Sequence, residues 1–413
     1  MKSPFLQDLQ SKGLLFQATD LEAIDAMFLG DKPVVAYIGF DPTADSLHVG
    51  NLSQIMMLRL LQRHGHKPIV LLGGATALIG DPSGKDEMRQ LSETATIAQN
   101  MADIKDSFTK FLKFGDGSTD AVLLDNADWL CELNYLSFLR DYGRHFTINR
   151  MLGFESVKTR LEREQPLSFL EFNYMILQAY DFMELSKRYQ CALQLGGSDQ
   201  WGNIVGGVEL TRKVLGKSVF GLTSPLITNA SGAKMGKTVK GAVWLNENRL
   251  STFDYWQFWR NVDDADVIAY MKIFTDFTPE EIGNFATLKD AAINQAKIAL
   301  ADAATIMCRG QSALKEVHQQ IQAAFGSGSD ADLPTRWIDK AQLTICNLET
   351  LLVACGLCAS KGEAKRLALG GGLRVNDVQV ADARQEINLD MLSREGLKIS
   401  LGKKQHYLVQ LRP

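Results

Sequence analysis

Over roughly the first 225 residues, short apolar runs alternate with longer stretches of helical period. Val34-Val-Ala-Tyr-Ile38 leads to a helix-patterned Leu52–Arg63 and then to Pro68-Ile-Val-Leu-Leu72, and the short apolar type returns at Val122–Leu124 and Ala192–Leu195. Strand, helix and strand at this spacing predict βαβ units and a doubly wound parallel sheet. The helix predicted over Phe169–Leu185 is apolar at Met175, Ile176, Leu177, Ala179 and Phe182. Tyr174, Gln178 and Asp181 nevertheless share one face, at i, i+4 and i+7. A buried polar stripe of this kind needs partners, because each unsatisfied group costs about 1–3 kcal/mol. Those partners are either protein or ligand.

From Ser251 to Phe325 the pattern turns helical, and Gly326-Ser-Gly-Ser-Asp-Ala-Asp-Leu-Pro334 reads as a flexible linker. The last 70 or so residues read as a separate small α+β unit: helical LETLLVACGL, then SKGEAKRLALGGG, then the strand-like Leu373-Arg-Val-Asn376. The predicted division is 1–225, 226–325, a linker 326–344, and 345–413.

Composition narrows the class. The chain is 46% hydrophobic and 22% charged, as in ordinary globular proteins. No run approaches the about 20 apolar residues that cross a bilayer, and MKSPFLQDLQSKG lacks the features of a secretory signal. A cytoplasmic protein without a membrane partner is expected. The net charge is −4, but residues 345–413 hold ten Lys/Arg against seven Asp/Glu, which is +3 and leaves −7 for the rest. This asymmetry permits an RNA-facing tail on an acidic body. Six cysteines read as reduced packing residues. Cys355-Gly-Leu-Cys358 has no second pair at zinc-site spacing, so no metal site is expected.

Glycines and polar residues collect after the predicted strands: GFDPTADSLHVG after Ile38, GGATALIGDPSGK after Leu72 and GGSDQWGN after Leu195. Open parallel sheets bind ligands at those carboxyl ends. His48 and Gly50 at a helix start suit a phosphate, with a satisfied loop histidine as the rival reading. Gly80-Asp-Pro-Ser-Gly-Lys85 is one residue short of a P-loop, with Asp86 where Ser or Thr belongs. Its Lys85 and Arg89 either meet a polyphosphate or form a solvated basic surface. Asn229-Ala-Ser-Gly-Ala-Lys-Met-Gly-Lys-Thr238 sets two lysines three apart in a Gly-rich loop, either a bare basic loop or a neutraliser of charge that moves.

Together these stretches resemble the class I aminoacyl-tRNA synthetases and, within them, the bacterial tyrosyl-tRNA synthetase family. His48-Val-Gly-Asn51 is similar to the HIGH signature, and Lys234-Met-Gly-Lys-Thr238 to KMSKS. YIGFDPTADSLHVGN, GGATALIGDPSGK, FLRDYGRHF, LQAYDF and LQLGGSDQWGN stand in the family's order. SKGEAKRLALGGGLRVN resembles an RNA-binding module also found in a ribosomal protein. The resemblance implies a Rossmann-like catalytic domain, an all-α anticodon-side domain and a small α+β RNA-binding domain.

It also implies a ligase that activates L-tyrosine with ATP, then transfers it to the terminal ribose of tRNA(Tyr). Carried over, Tyr37 and Asp181 hold the phenol; Tyr174, Gln178 and Asp81 hold the α-ammonium; Gln200 lies near the carboxylate. His48 and Asn51 meet phosphate and ribose, with Asp41 and Thr43 nearby, and Gly39, Gly197 and Asp199 contact the nucleoside. Lys85, Arg89, Lys234, Lys237 and Thr238 grip the departing pyrophosphate. Lys361, Lys365, Arg366 and Arg374 supply phosphate contacts to RNA, which position it without reading bases. Mg²⁺ is expected with ATP and pyrophosphate, with no dedicated protein metal site. A homodimer is expected from the family, with its interface around Phe138–Arg150 and the following helix.

Two departures stand out. Asn51 replaces the second His of HIGH, which should alter the strength of a hydrogen bond without removing it. Gly236 replaces the Ser of KMSKS and is expected to loosen the loop. The rival readings are a nucleotidyltransferase acting on a small metabolite, which needs neither the Tyr37/Asp181 pair nor an RNA-binding tail, and a noncatalytic RNA-binding paralogue, against which His48, Lys234 and Lys237 together speak.

Overall fold

The computed structural model describes residues 1–81, 93–238, 241–325, 333–339, 347–387, 392, 396–402 and 405–412. The chain divides into two compact units, Met1–Cys308 and Arg309–Pro413.

The first unit is organised by a six-stranded sheet of β1 (Gln17–Ala18), β2 (Val35–Phe40), β3 (Lys67–Leu72), β4 (Val122–Asp125), β5 (Leu193–Gly197) and β6 (Phe220–Ser224), in the order β1-β6-β5-β2-β3-β4. Every neighbouring pair is parallel except β1 with β6. β5 is buried throughout, as a strand covered on both faces must be. The winding reverses between β2 and β5. There the two strands pair only at Ala36↔Leu193 and Tyr37↔Gln194, whereas β2 follows β3 from Val35 to Phe40. The carboxyl halves of β2 and β5 therefore part, and a crevice opens at the switch point.

β2 extends past the predicted Ile38 through Gly39 and Phe40, which stay in register with Leu71 and Leu72. Glycine broke the apolar pattern but not the backbone ladder. The following helix begins at Val49, earlier than the predicted Leu52, because His48 and Asn51 form a reciprocal cap at its start. β1 and β6 were not expected. Their Gly, Thr, Ser and Gln residues carry no continuous apolar signal.

The Phe169–Tyr189 helix starts on a Ser168/Glu171 capping box and stops where Gln190 turns left-handed. Met175, Ile176 and Phe182 pack in one core with Tyr37, Ile69 and Leu71 of the sheet. Beyond β6 come an antiparallel strand pair, β7 (Lys237–Thr238) and β8 (Gly241–Ala242), and the helices Thr252–Arg260, Val267–Phe274, Pro279–Ala286 and Ile293–Arg309. Val267–Phe274 packs on Val49–Arg63, and Arg59 grips Asp276 through two bonds of 2.6 and 2.7 Å.

The second unit holds the Gln311–Phe325 helix and the strands β9 (Thr335–Ile338), β10 (Leu373–Val375), β11 (Val378–Gln379), β12 (Leu397–Leu401) and β13 (Gln405–Leu411), in the order β11-β10-β12-β13-β9. Helices Leu348–Ala354 and Lys361–Leu369 share a core with this sheet. Asn376 and Asp377, both at positive φ, close the β10–β11 hairpin, the backbone that a two-residue hairpin turn requires.

Candidate active site

A cavity of about 430 Å³ occupies the crevice at the carboxyl ends of β2 and β5. Its inner end is made by Tyr37 on β2 and Asp181 on the Phe169–Tyr189 helix, 1% and 3% exposed. Asp181 accepts from Trp129 Nε1 at 2.7 Å and from Asn126 Nδ2 at 3.0 Å. Burial pushes its pKa up to about 7, while the Asn126 and Trp129 bonds hold it down and the Asp41 and Asp125 charges add to the rise. The Tyr37 hydroxyl is buried and has no hydrogen-bond partner among the described residues. Burial and the nearby Asp181 charge raise its pKa well above the usual phenol value, so it stays a neutral O–H donor and acceptor.

The middle of the cavity is a connected polar network. Tyr174 donates its hydroxyl to Asp41 Oδ2 at 3.0 Å, and Thr76 Oγ1 donates to Asp41 Oδ1 at 2.9 Å. Asn126 Nδ2 donates to Thr76 Oγ1 at 3.0 Å. The chain Asp181–Asn126–Thr76–Asp41–Tyr174 is thus continuous across the site. Opposite it, Gln200 Nε2 donates to Asp81 Oδ2 at 2.8 Å, and the buried Asn203 holds the side-chain oxygens of Gln178 (2.8 Å) and Gln200 (3.3 Å). Acceptors and carboxylates facing one space make a cation site.

At the outer end, His48 caps the Val49–Arg63 helix. Its Nδ1 accepts from Gly50 N at 3.0 Å, and Asn51 Oδ1 accepts from His48 N at 3.2 Å. A neutral His48 therefore carries its proton on Nε2, and Asn51 keeps its Nδ2 donors for other acceptors. Lys234 lines the same cavity. Burial and the Asp81 charge raise the Asp199 pKa, and Lys234 opposes them.

Gly236 also meets a packing demand that the sequence did not show. It sits at φ +100°, and a Cβ there would lie 2.5 Å from Gly50 N and 2.9 Å from Gly50 Cα. Two glycines thus let the KMGKT loop lie directly on the helix start, where a side chain at 236 would not fit.

The cavity gathers Tyr37, Gly39, Asp41, Thr43, His48, Asn51, Asp81, Tyr174, Gln178, Asp181, Gly197, Asp199, Gln200 and Lys234. Lys85 and Arg89 lie outside the described residues, and Lys237 and Thr238 are described only as the backbone of β7. Lys361, Lys365, Arg366 and Arg374 are exposed in the second unit, with Lys365 paired to Glu349 at 3.3 Å. Sequence reading missed Thr76, Asn126, Trp129 and Asn203. Asn126 and Trp129 follow β4 directly, so the rule that polar residues after parallel strands face ligand would have found them had it been extended to Asp125-Asn-Ala-Asp-Trp129.

Residues 30–326 match the family model described as tRNA synthetases class I (W and Y). The chain is 55% identical over 411 residues to the tyrosine–tRNA ligase of a Caulobacter species, covering 99% of this chain and 98% of that one. It is 54% identical to that of Rhodospirillum rubrum, with 100% and 99% covered. Among solved structures, a C-terminally truncated mitochondrial tyrosyl-tRNA synthetase of Aspergillus nidulans matches with a TM-score of 0.70 at 30% identity, covering 79% of this chain and 95% of that one. A tyrosyl-tRNA synthetase of Archaeoglobus fulgidus, complexed with L-tyrosine, shares the fold at a TM-score of 0.57 and 18% identity, covering 75% and 99%.

Proposed function

We infer that this chain, which belongs to the class I tRNA synthetases (W and Y), is a tyrosine–tRNA ligase. The observation that carries the reading is the inner end of the cavity. A phenol placed between Tyr37 and Asp181 donates a hydrogen bond to a carboxylate already oriented by Asn126 and Trp129, and accepts one from a hydroxyl that has no other described partner. Phenylalanine in the same place leaves both groups unpaired, and a site built to bond a hydroxyl rejects the analogue that lacks it.

The α-ammonium lies against Tyr174, Gln178 and Asp81, and Gln200 stands near the carboxylate. In the first step a carboxylate oxygen of tyrosine bonds to the α-phosphorus of ATP. The bond from that phosphorus to the bridging oxygen breaks, and its electron pair leaves with pyrophosphate. His48 Nε2–H and the Asn51 amide donate to the phosphate and ribose end, with Asp41 and Thr43 beside them and Gly39, Gly197 and Asp199 along the nucleoside. Lys234, with Lys85, Arg89, Lys237 and Thr238, neutralises charge as it moves onto the leaving group. In the second step a ribose hydroxyl of tRNA(Tyr) attacks the tyrosyl carbonyl carbon, releasing AMP and a proton. Acceleration comes from alignment and from charge stabilisation that is stronger in the transition state than in the ground state. Mg²⁺ would accompany the phosphates of ATP and supply further charge neutralisation there, beside Lys234, Lys85, Arg89, Lys237 and Thr238.

The finer assignments belong to the same reading. The basic residues Lys361, Lys365, Arg366 and Arg374 contact tRNA phosphates, and the four-part division 1–225, 226–325, 326–344 and 345–413 separates catalytic, helical, linking and RNA-binding parts. The working form is a cytoplasmic homodimer. What supports the dimer is a set of exposed apolar side chains on successive helices: Leu136 on Tyr135–Asp141, Ile148 on Ile148–Leu152, Leu161 on Glu155–Glu162 and Phe169 at the start of Phe169–Tyr189, 49–74% exposed. Light scattering on the purified protein tests it.

Amino-acid-dependent exchange of labelled pyrophosphate into ATP tests the activity. Exchange with tyrosine alone among the twenty amino acids, lost in Asp181→Ala, is the expected result. No exchange with any amino acid, in folded protein, overturns it.

A further inference from the structure

We propose that Asn246, which does not line the cavity, is a positioning residue that fixes the KMGKT loop against the start of the His48-capped helix. The inference rests on the ligase reading for its kinetic part only.

The segment 243–246 is the shared neighbour of both motifs. Val49 N donates to Val243 O at 2.8 Å and Leu245 N to Leu47 O at 2.8 Å, which ties the segment to the residues flanking His48; Val243 N donates to Gly236 O at 3.0 Å, which ties it to the KMGKT loop. The segment thus bridges the His48 flank and the KMGKT loop, which is also tied back through Met235 N to Ile227 O at 3.0 Å. Its carboxyl end is Asn246, and every polar group of that residue's amide is engaged. Its Oδ1 accepts from Ser107 Oγ at 2.7 Å and Lys110 Nζ at 3.3 Å, and its Nδ2 donates to the Asp103 carbonyl at 3.1 Å. Its backbone N–H donates to Ser46 Oγ at 3.2 Å, two residues before His48. Lys110 adds a bond to Leu245 O at 2.9 Å.

Asn246 thus joins the loop before His48, the Thr94–Thr109 helix and the segment that carries the KMGKT backbone. Only an amide meets all these bonds. A carboxylate cannot donate to the Asp103 carbonyl, and an alkyl group can neither donate nor accept. The inner end of the cavity is held by bonds of its own, from Asn126 and Trp129 to Asp181. Groups that act only in the transition state lose catalysis, and not substrate affinity, when they are misplaced by an ångström.

The test is Asn246→Ala and Asn246→Asp beside Lys110→Met and the double variant Asn246→Ala/Lys110→Met. In pyrophosphate exchange, Asn246→Ala is expected to lower kcat at least tenfold, with the KM for tyrosine within twofold of wild type, and Asn246→Asp to fall between. The double variant should lose less than the product of the two single losses. An unchanged kcat, or a tyrosine KM that worsens in step with kcat, overturns the proposal, the second because it marks a general structural defect. A readout independent of activity is limited trypsin cleavage after the exposed Lys234, expected to be several-fold faster in Asn246→Ala. Unchanged cleavage overturns the proposal whatever the enzyme's activity. Wild-type protein that fails to exchange with tyrosine but shows the faster cleavage in the variant sinks the ligase reading alone.

Discussion

Trp129 donates its indole N–H to Asp181 at 2.7 Å at the inner end of the cavity, so a residue that does not line the cavity sets the direction in which this buried carboxylate presents its remaining lone pairs. Arg188 lies over the same indole ring, 5.5 Å from its centroid.

Trp129→Phe keeps the ring and removes the donor. A hydrogen bond to a charged group is worth about 1.5–3 kcal/mol, so the KM for tyrosine in pyrophosphate exchange should rise about tenfold or more while the KM for ATP holds. Equal changes in both would show that Trp129 only supports the fold.

The Asp181 pKa of about 7 gives a pH dependence with a definite sign. The ionised carboxylate is much the stronger acceptor for the phenol, so tyrosine affinity should drop up to about tenfold between pH 8 and pH 6. Calorimetric titration of tyrosine into wild type and Asp181→Asn checks this, and the variant should bind weakly with no such step.

The same shift links to stability in the opposite sense. A folded-state pKa above the unfolded value of 3.8 means that the native protein takes up the proton first, so Asp181 favours folding at low pH and loses that contribution as pH rises through about 7. Asp181→Asn should therefore raise the melting temperature more at pH 8 than at pH 5. A uniform shift would contradict the assignment.

Gly236→Ala places a methyl group where Gly50 N stands 2.5 Å away and forces an L-residue to φ +100°, a conformation costing about 1–3 kcal/mol. The exchange rate should fall about tenfold or more with tyrosine affinity intact, and Gly236→Ser should behave alike. A fully active Gly236→Ser would show that the loop works without lying on Gly50.

Arg160 and Glu171 form an ion pair at 2.9 Å with both side chains nearly inaccessible. Arg160→Met should lower stability by about 3–5 kcal/mol in urea unfolding, because it strands a buried carboxylate.

The parallel sheet and most of the cavity wall were legible because both rest on local signals. Val34–Ile38 and Pro68–Leu72 are apolar runs, and Tyr174, Gln178 and Asp181 recur at helical spacing. What escaped depends on contacts between distant segments. Gly236 reads as freedom in a sequence, and only the approach of Gly50, from the other end of the unit, turns it into a requirement. Asn246 carries no motif at all; its role lies in bonds to Ser46, Ser107 and Lys110. β6 was missed for the same reason, since its Gly, Thr and Ser are fixed by pairing with β5.

The parting of β2 and β5 after Tyr37 and Gln194 has a consequence for change. The opening is held by main-chain pairing on its outer sides, β2 with β3 and β5 with β6, and so it survives replacement of the side chains that fill it. Frame and contents are separable. On the proposed reading, Tyr37 and Asp181 could be exchanged for other chemistry without disturbing that pairing, because the shape of the cleft does not depend on them.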